Sequence, residues 1–382
     1  MKIASHRFKI GSGWNTQPDP DFDSDHSILF IFSSLGPEGL ELQLRALREQ
    51  FPRSLFCGCS TSGDIYQDEL SDESIVVSAI RLDQTRIREA SARIGSDINS
   101  TSAGHAIAEQ LAAPDLKAVF VLSDGLLVNG TQLVQGLTES LDDSVVITGG
   151  LAGDGDRFVE TWVMADGGIQ TGYVTAIGFY GEKFRVAHGS RGGWDLLGPQ
   201  REVTRSHDNV LFELDGQPAL SIYKKYLGKR ADELPATGLL FPLAIDNTDE
   251  IEGDTVRTIL AVDEEEQSIT FAGDIPQGSF VHLMHANFDR LIDGASRASE
   301  DIRLENYRDQ PALCVAISCV GRRLVLGQRT EEEIDAVLEF FPDNVNLIGF
   351  YSYGEISPLA SGRCDLHNQT MTLSVFWEDL AA

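Results

Sequence analysis

Hydrophobic and polar positions alternate in blocks along this chain, and the same block order occurs three times. The first copy opens with an apolar run, Ile28-Leu29-Phe30-Ile31-Phe32, ending in Ser33-Ser34. Leu40, Leu44, Leu47 and Phe51 then fall on one stripe, which predicts an amphipathic helix. A second strand, Ser54-Leu55-Phe56-Cys57, runs into Gly58-Cys59-Ser60-Thr61-Ser62-Gly63-Asp64. The second copy has Ala118-Val119-Phe120-Val121-Leu122, a helix carrying Leu133, Leu137 and Leu141, and Val145-Val146-Ile147 before Gly149-Gly150-Leu151-Ala152-Gly153-Asp154. The third has Leu313-Cys314-Val315-Ala316-Ile317, a helix with Ile334, Val337 or Leu338 and Phe341, and Asn346-Leu347-Ile348 before Gly349-Phe350-Tyr351-Ser352-Tyr353-Gly354-Glu355. Thr330-Glu331-Glu332-Glu333 predicts a capping box at the start of that helix. A further strand follows each loop, at Ser74 to Leu82, Thr171 to Phe179 and Gln369 to Trp377.

Apolar runs without alternation mark strands covered on both faces. The fold class expected is therefore α/β (α+β), with repeated strand–helix–strand–glycine-loop units in layered sheets. Residues 11–27, rich in Gly, Pro, Asp and Ser, read as part of an N-terminal lead-in spanning 1–27. Between the second and third copies the pattern changes: Pro218 opens a helix that Gly228 stops, a hairpin surrounds Asp263–Glu266, and a long helix runs from about 286 to 302. The glycine density of Gly189–Trp194 suggests a boundary at 198–210, and hence two domains, 28–200 and 201–382. On this division the first two units pair with each other and the third stands in a separate C-terminal domain.

The chain has 382 residues, 30 Lys+Arg against 59 Asp+Glu and a formal net charge of −29. Counterion release on nucleic acid needs a basic face, and anionic membranes need one too, so both partners are excluded from the expectation. Between Asp232 and Glu266 there are eleven acids and one base, Arg257. No stretch reaches the roughly 20 apolar residues of a membrane span, and Met1–His6 carries no apolar signal region, so a cytoplasmic protein is expected. Five cysteines without C-x-x-C do not form a disulfide framework.

Catalytic signatures are missing. There is no G-x-S-x-G, H-E-x-x-H, Walker A lysine or dinucleotide fingerprint, and Gly125–Thr131 reads as a strand-to-helix turn. The expectation is a binding protein and not an enzyme, with catalysis by the Cys/Ser-rich glycine loops as the alternative. Glycine loops at strand C-termini bring backbone N–H groups close to a ligand. Ser60, Ser62, Asp64, Gly153, Asp154, Tyr353 and Glu355 are accordingly the candidate ligand contacts, in a pocket shared by more than one loop. The competing reading is structural: glycine supplies the turn and the acid caps it. Among eight histidines, His188 precedes Arg191 and Trp194, and His367 stands beside Asp365 and Asn368.

Gly58–Asp64, Gly149–Asp154, Gly198-Pro199 with Val203-Thr204, Leu214–Leu220 and Gly349–Glu355 together resemble the FIST sensory family (F-box and intracellular signal transduction). The resemblance covers nearly the whole chain, as an N-terminal FIST domain followed by a C-terminal one. It implies a bacterial sensor of a small ligand, amino acids among those proposed. This chain departs from the family's multidomain pattern in showing no kinase, methyl-accepting or cyclic-di-GMP output domain, so a stand-alone sensor signalling to a separate partner is expected. Ser318–Gly327 and His367–Thr372 are more similar to the branch that senses nitric oxide through haem and works with histidine kinases and cyclic-di-GMP enzymes. That branch implies haem as cofactor, with His367 as the first candidate for the iron and His188 as the second. Trp194 would then stack on the macrocycle and Arg191 pair with a propionate, while Cys59 or Cys319 would be the fallback ligands.

Overall fold

The computed structural model describes residues 1–95, 98–234, 236–246, 255–304, 307, 310–359 and 361–379. The three units expected from the pattern are present. The first comprises an opening strand Ser27–Ser33, a helix Pro37–Gln50, a second strand Leu55–Ser60 and a closing strand Ser74–Arg81. The second has Leu116–Ser123, helix Gly130–Ser140, Val146–Leu151 and Tyr173–Tyr180. The third has Ala312–Cys319, helices Val320–Leu326 and Thr330–Leu338, Val345–Ser352 and Met371–Glu378. In every unit the opening and second strands are parallel and the closing strand is antiparallel on the other side. An edge strand extends each sheet beyond its closing strand: Lys2–Lys9, Arg86–Arg93 and Phe184–Arg191.

The units exchange hairpins in a ring. After the first glycine loop, Asp64–Tyr66 pairs with the third unit's second strand and Glu69–Ser71 folds back on it. After the second, Val163–Ala165 pairs with the first unit's second strand and Gly168–Gln170 folds back on it. After the third, Gly354–Pro358 pairs with the second unit's second strand and Cys364–His367 folds back on it. Each sheet is thus extended by another unit, which covers part of each second-strand edge: three residues in the second and third sheets and the Val163–Cys59 pair in the first.

This exchange corrects the expected pairing of the first two units against a separate third. One buried cluster draws Phe30 and Phe32, Phe120 and Leu122, and Val315, Ile317, Phe350 and Phe376 from all three units. Phe30 meets Phe120 edge-on at 5.1 Å between centroids, and Phe32 meets Phe350 at 4.6 Å. The alternate residues of the same strands face outward onto helices: Leu29 and Ile31 onto Leu40 and Leu44, Val119 and Val121 onto Leu133 and Leu137. Two-sided burial is what the unalternating runs required, and each buried Phe or Leu contributes roughly 1.5–3 kcal/mol.

The expected lead-in is also packed: Lys2–Lys9 pairs along its length with Ser74–Arg81, and the His6 ring bonds Thr16. The expected boundary at 198–210 falls largely within one bent strand, Asp195–His207, which pairs with both Phe280–His285 and Val210–Leu214. That strand opens an inserted layer with its own core around Leu211, Leu220, Phe271 and Val281. The hairpin at Asp263–Glu266 and the helices Ala219–Leu227 and Phe288–Glu300 form as predicted. Part of the acidic stretch, 247–254, lies outside the described residues.

The capping box at Thr330 does not form. Thr330 is already the first helical residue and its hydroxyl donates to the Gly327 carbonyl. Glu333 turns inward, where its carboxylate pairs with Arg322 at 2.7 Å, both side chains fully buried. A buried guanidinium without that partner would cost more than an unsatisfied helix end.

Candidate ligand site

Gly58, Gly149 and Gly349 occupy one register position, opposite Ile31, Val121 and Ala316 of the parallel neighbour strand. A Cβ at these positions would lie 2.1, 1.8 and 1.8 Å from those residues' carbonyl oxygens. Only glycine lets the two backbones approach this closely. Four residues further on, each loop crosses to another unit. The N–H of Ser62 donates to the Tyr351 carbonyl at 2.8 Å, that of Tyr353 to Leu151 at 3.2 Å, and that of Gly153 to Ser60 at 3.1 Å. These three bonds close a ring joining all three units at the C-terminal ends of their parallel strands.

The acids after the glycines divide into two kinds. Asp64 and Glu355 stand six residues after Gly58 and Gly349. Asp64 is fully buried and accepts from the Ser34 N–H and hydroxyl, Thr61 and Ser74 at 3.1, 2.6, 2.5 and 2.6 Å. Glu355 accepts from Ser352 at 2.6 Å and from the Thr370 N–H and hydroxyl at 3.2 and 2.9 Å. Burial outweighs these bonds, pushing Asp64 up to about 6 and Glu355 up to about 8. Ser74 and Thr370 hold equivalent places at the start of the closing strands, so one tie fastens loop to strand in both units.

Asp154 follows Gly149 by only five residues and is not their equivalent. Its carboxylate takes the Tyr353 hydroxyl and the N–H groups of Phe158, Val159 and Glu160 at 2.9, 2.9 and 3.1 Å. Burial opposes ionisation here, yet the Tyr353 bond and the three N–H groups prevail and hold Asp154 below the ordinary carboxylate value. It is a fixed anion.

Beside it opens a cleft of about 460 Å³, lined from the first unit by Ser34, Thr61, Ser62 and Gly63, from the second by Asp154–Arg157, and from the third by Val320, Arg323, Leu324 and Gly327. An adjoining cleft of about 200 Å³ shares Ser34, Thr61, Asp154 and Arg157 and adds Ser60, Gly153 and Trp162. Arg157 is 62% exposed, its Nε 3.8 Å from Asp154. Arg323 forks onto Asp72 at 2.9 and 2.6 Å and also donates to the Ser62 carbonyl.

Of the residues named from sequence, Ser60, Ser62, Gly153 and Asp154 line these clefts. Asp64, Tyr353 and Glu355 line neither. Asp64 and Glu355 are consumed by their own loops, and Tyr353 stacks on Phe158 at 4.7 Å while it holds Asp154. Ser34, Arg157 and Arg323 were not anticipated. The repeat carried a signal for Ser34, because Ser34, Asp124 and Cys319 each stand two residues after the end of their opening apolar run, at Phe32, Leu122 and Ile317.

The residues suggested for haem do not make a haem site as folded here. His367 lies on an exchanged hairpin with Nε2 against the Ser357 carbonyl at 2.9 Å. The Trp194 indole is buried and donates to the Gln369 carbonyl at 2.9 Å, and Arg191 pairs with Asp301 at 2.5 Å. His188 pairs with Ser374 across the third sheet. Burial lowers both histidines, most directly favouring neutral rings. None of the four lines either cleft. Among the described residues no group of three His, Cys, Asp or Glu is arranged for a metal, and burial raises the thiols of Cys59 and Cys319.

Residues 27–217 match the FIST N domain and residues 219–358 the FIST C domain. The chain belongs to the FIST family. The family division at 217–219 cuts within the inserted layer, so the C domain begins at helix Ala219–Leu227 and includes most of the third unit. An uncharacterized protein of Methanocaldococcus jannaschii is 23% identical over 393 aligned positions, covering 92% of this chain and 73% of its own. A solved cyanuric acid hydrolase from A. caulinodans aligns over 99% of both chains at 9% identity and a TM-score of 0.35. That neighbour is an enzyme, so the expectation that the chain is not one no longer stands; a likeness this slight transfers no activity to it. Among the described residues no helix is long and apolar enough to cross a membrane.

Proposed function

We propose that this FIST protein is a sensor whose small polar ligand occupies the cleft between Ser34, Ser62, Arg157 and Arg323. One observation carries the reading: the cleft has a wall from each of the three units, directly beside the backbone ring that joins them. A ligand there would bridge all three and strengthen a junction on which the whole core depends. The side chains suit a zwitterion of the amino-acid type. Arg157 offers an exposed guanidinium for a carboxylate, while Glu73 and Asp156 offer carboxylates for an ammonium. Following the family resemblance, the signal would pass to a separate histidine kinase or cyclic-di-GMP enzyme in the cytoplasm.

Thermal unfolding in the presence of each common amino acid tests this. At least one should raise the midpoint, and Arg157→Ala should abolish the rise while leaving the ligand-free midpoint nearly unchanged. A ligand that stabilises wild type and Arg157→Ala equally binds elsewhere, and this assignment of the site would be wrong.

A further inference from the structure

Where each edge strand meets an exchanged hairpin, the threefold plan creates three equivalent junctions. Ser5, Glu89 and His188 occupy the same place in them: they pair with Ser78, Ile177 and Ser374, which in turn oppose Phe30, Phe120 and Val315. Two junctions are closed. At the first, the Tyr66 hydroxyl of the hairpin donates to the Ser5 carbonyl at 3.2 Å. At the third, the hairpin strand Gly354–Pro358 packs on the edge strand, and His188 is held down by burial and then by the nearby His367.

The junction at Glu89 is open. It holds a cleft of about 370 Å³ walled by Phe51, Phe56, Met164 and Ala165, with Arg48 and Glu89 as its charged side chains. This cleft is at the opposite end of the first sheet from the one beside Asp154, since it borders the start of the strand Leu55–Ser60. Arg48 is already engaged: it lies 5.4 Å over the Phe56 ring and donates to the Gly167 carbonyl. Glu89 makes no hydrogen bond or ion pair among the described residues. Burial and the charge of Asp166, on the turn of the hairpin, work against its ionisation, and Arg48 favours it only from beyond ion-pair distance; Asp166 itself accepts from the Ser91 hydroxyl at 2.7 Å. A partly buried carboxylate against an apolar wall is costly unless a cation meets it.

We propose that this cleft is a second ligand site, taking a small organic monocation with an apolar body and using Glu89 as its counter-ion. The aromatic and thioether wall receives the hydrocarbon. The ammonium lies between Glu89 and Asp166, and Arg48 excludes a second positive charge, so monoamines are preferred to diamines. The site is independent of the cleft beside Asp154 and does not rest on the function proposed for it.

Calorimetric titration of the full chain with phenethylamine and isoamylamine tests the proposal, with 2-phenylethanol as the neutral probe. At least one amine should bind with a Kd of ~0.1–1 mM, and the alcohol should bind at least about tenfold more weakly. Glu89→Gln should weaken the amine about tenfold or more. Gly168→Leu should block it sterically with little strain, because a Cβ there meets nothing nearer than 3.5 Å. No heat with either amine, equal affinity for amine and alcohol, or retained binding in a folded Glu89→Gln chain would each overturn the assignment.

Discussion

The C-terminal ends of the first and third opening strands start from one plan and finish differently. Both carry the glycine opposite the parallel neighbour, the acid six residues later, and a hydroxyl at the start of the closing strand that fastens it. Past that point the first end stays open, with Ser34 and Thr61 on the cleft. The third is plugged: Cys319 is buried, the Trp194 indole donates to Gln369, and Arg322 donates to the carbonyls of Gly192 and Leu291. Gln369 is held there at φ 63°, fully buried. Repetition builds the scaffold, and the segments flanking the inserted layer decide which end stays open.

Arg322→Ala breaks this contrast most severely, because it leaves Glu333 buried without its partner. A loss of about 3–5 kcal/mol in urea unfolding is expected. Pro37, at the same offset in the first unit, is exposed, so Pro37→Ala should change stability by about 0.5 kcal/mol or less. Equal losses would mean that the two ends are built alike after all.

Gly58→Ala and Gly349→Ala sharpen the shared half of the comparison. Both force a Cβ into a backbone oxygen, so each should cost about 3 kcal/mol, and by similar amounts. A large cost in only one would show that the register match is not a common device.

The two buried acids differ in degree. A carboxyl whose folded value exceeds its unfolded one binds protons more tightly when folded, so stability falls as pH rises between the two values. For Glu355 that window runs from 4.5 to about 8, and for Asp64 from 3.8 to about 6. Glu355→Gln should therefore gain on wild type between pH 5 and pH 9 by on the order of 4 kcal/mol. Asp64→Asn should show its smaller gain already complete by pH 7. Denaturant midpoints across this range check both, and a wild type that becomes more stable from pH 5 to 9 would reverse the sign.

Much of this was legible in the residues. The unalternating runs at Ile28–Phe32 and Ala118–Leu122 required two covered faces and obtained them, and the stripe Leu40, Leu44, Leu47 is the buried face of its helix. Four of the seven proposed ligand contacts line the clefts. What failed were inferences about long-range partners. The hairpin exchange depends on which edge each short strand finds, and no local pattern in Asp64–Tyr66 names Val345–Ser352 as its partner. Glycine density suggested a boundary near residue 200, but those glycines serve close packing: Gly189 and Gly193 abut the carbonyls of Ala298 and Arg290. Arg157 and Arg323 were invisible because charge on a loop or short helix reads as solvation until the fold turns it toward a cleft. The acids after each glycine looked alike, and a one-residue difference in spacing gave Asp154 a separate role.

The central claim is that the three units form one interlocked body, with the third as indispensable as the others. The most direct measurement is thermal unfolding of residues 1–200 produced alone, followed by circular dichroism. In that fragment the hairpin Asp64–Ser71 and the strands Val146–Leu151 and Phe184–Arg191 lose their third-unit partners, and Phe30, Phe32 and Phe120 lose Phe350 and Phe376. The account predicts no cooperative transition. A fragment that melts sharply, with native-like strand content, would show the third unit to be a separate domain and would contradict it.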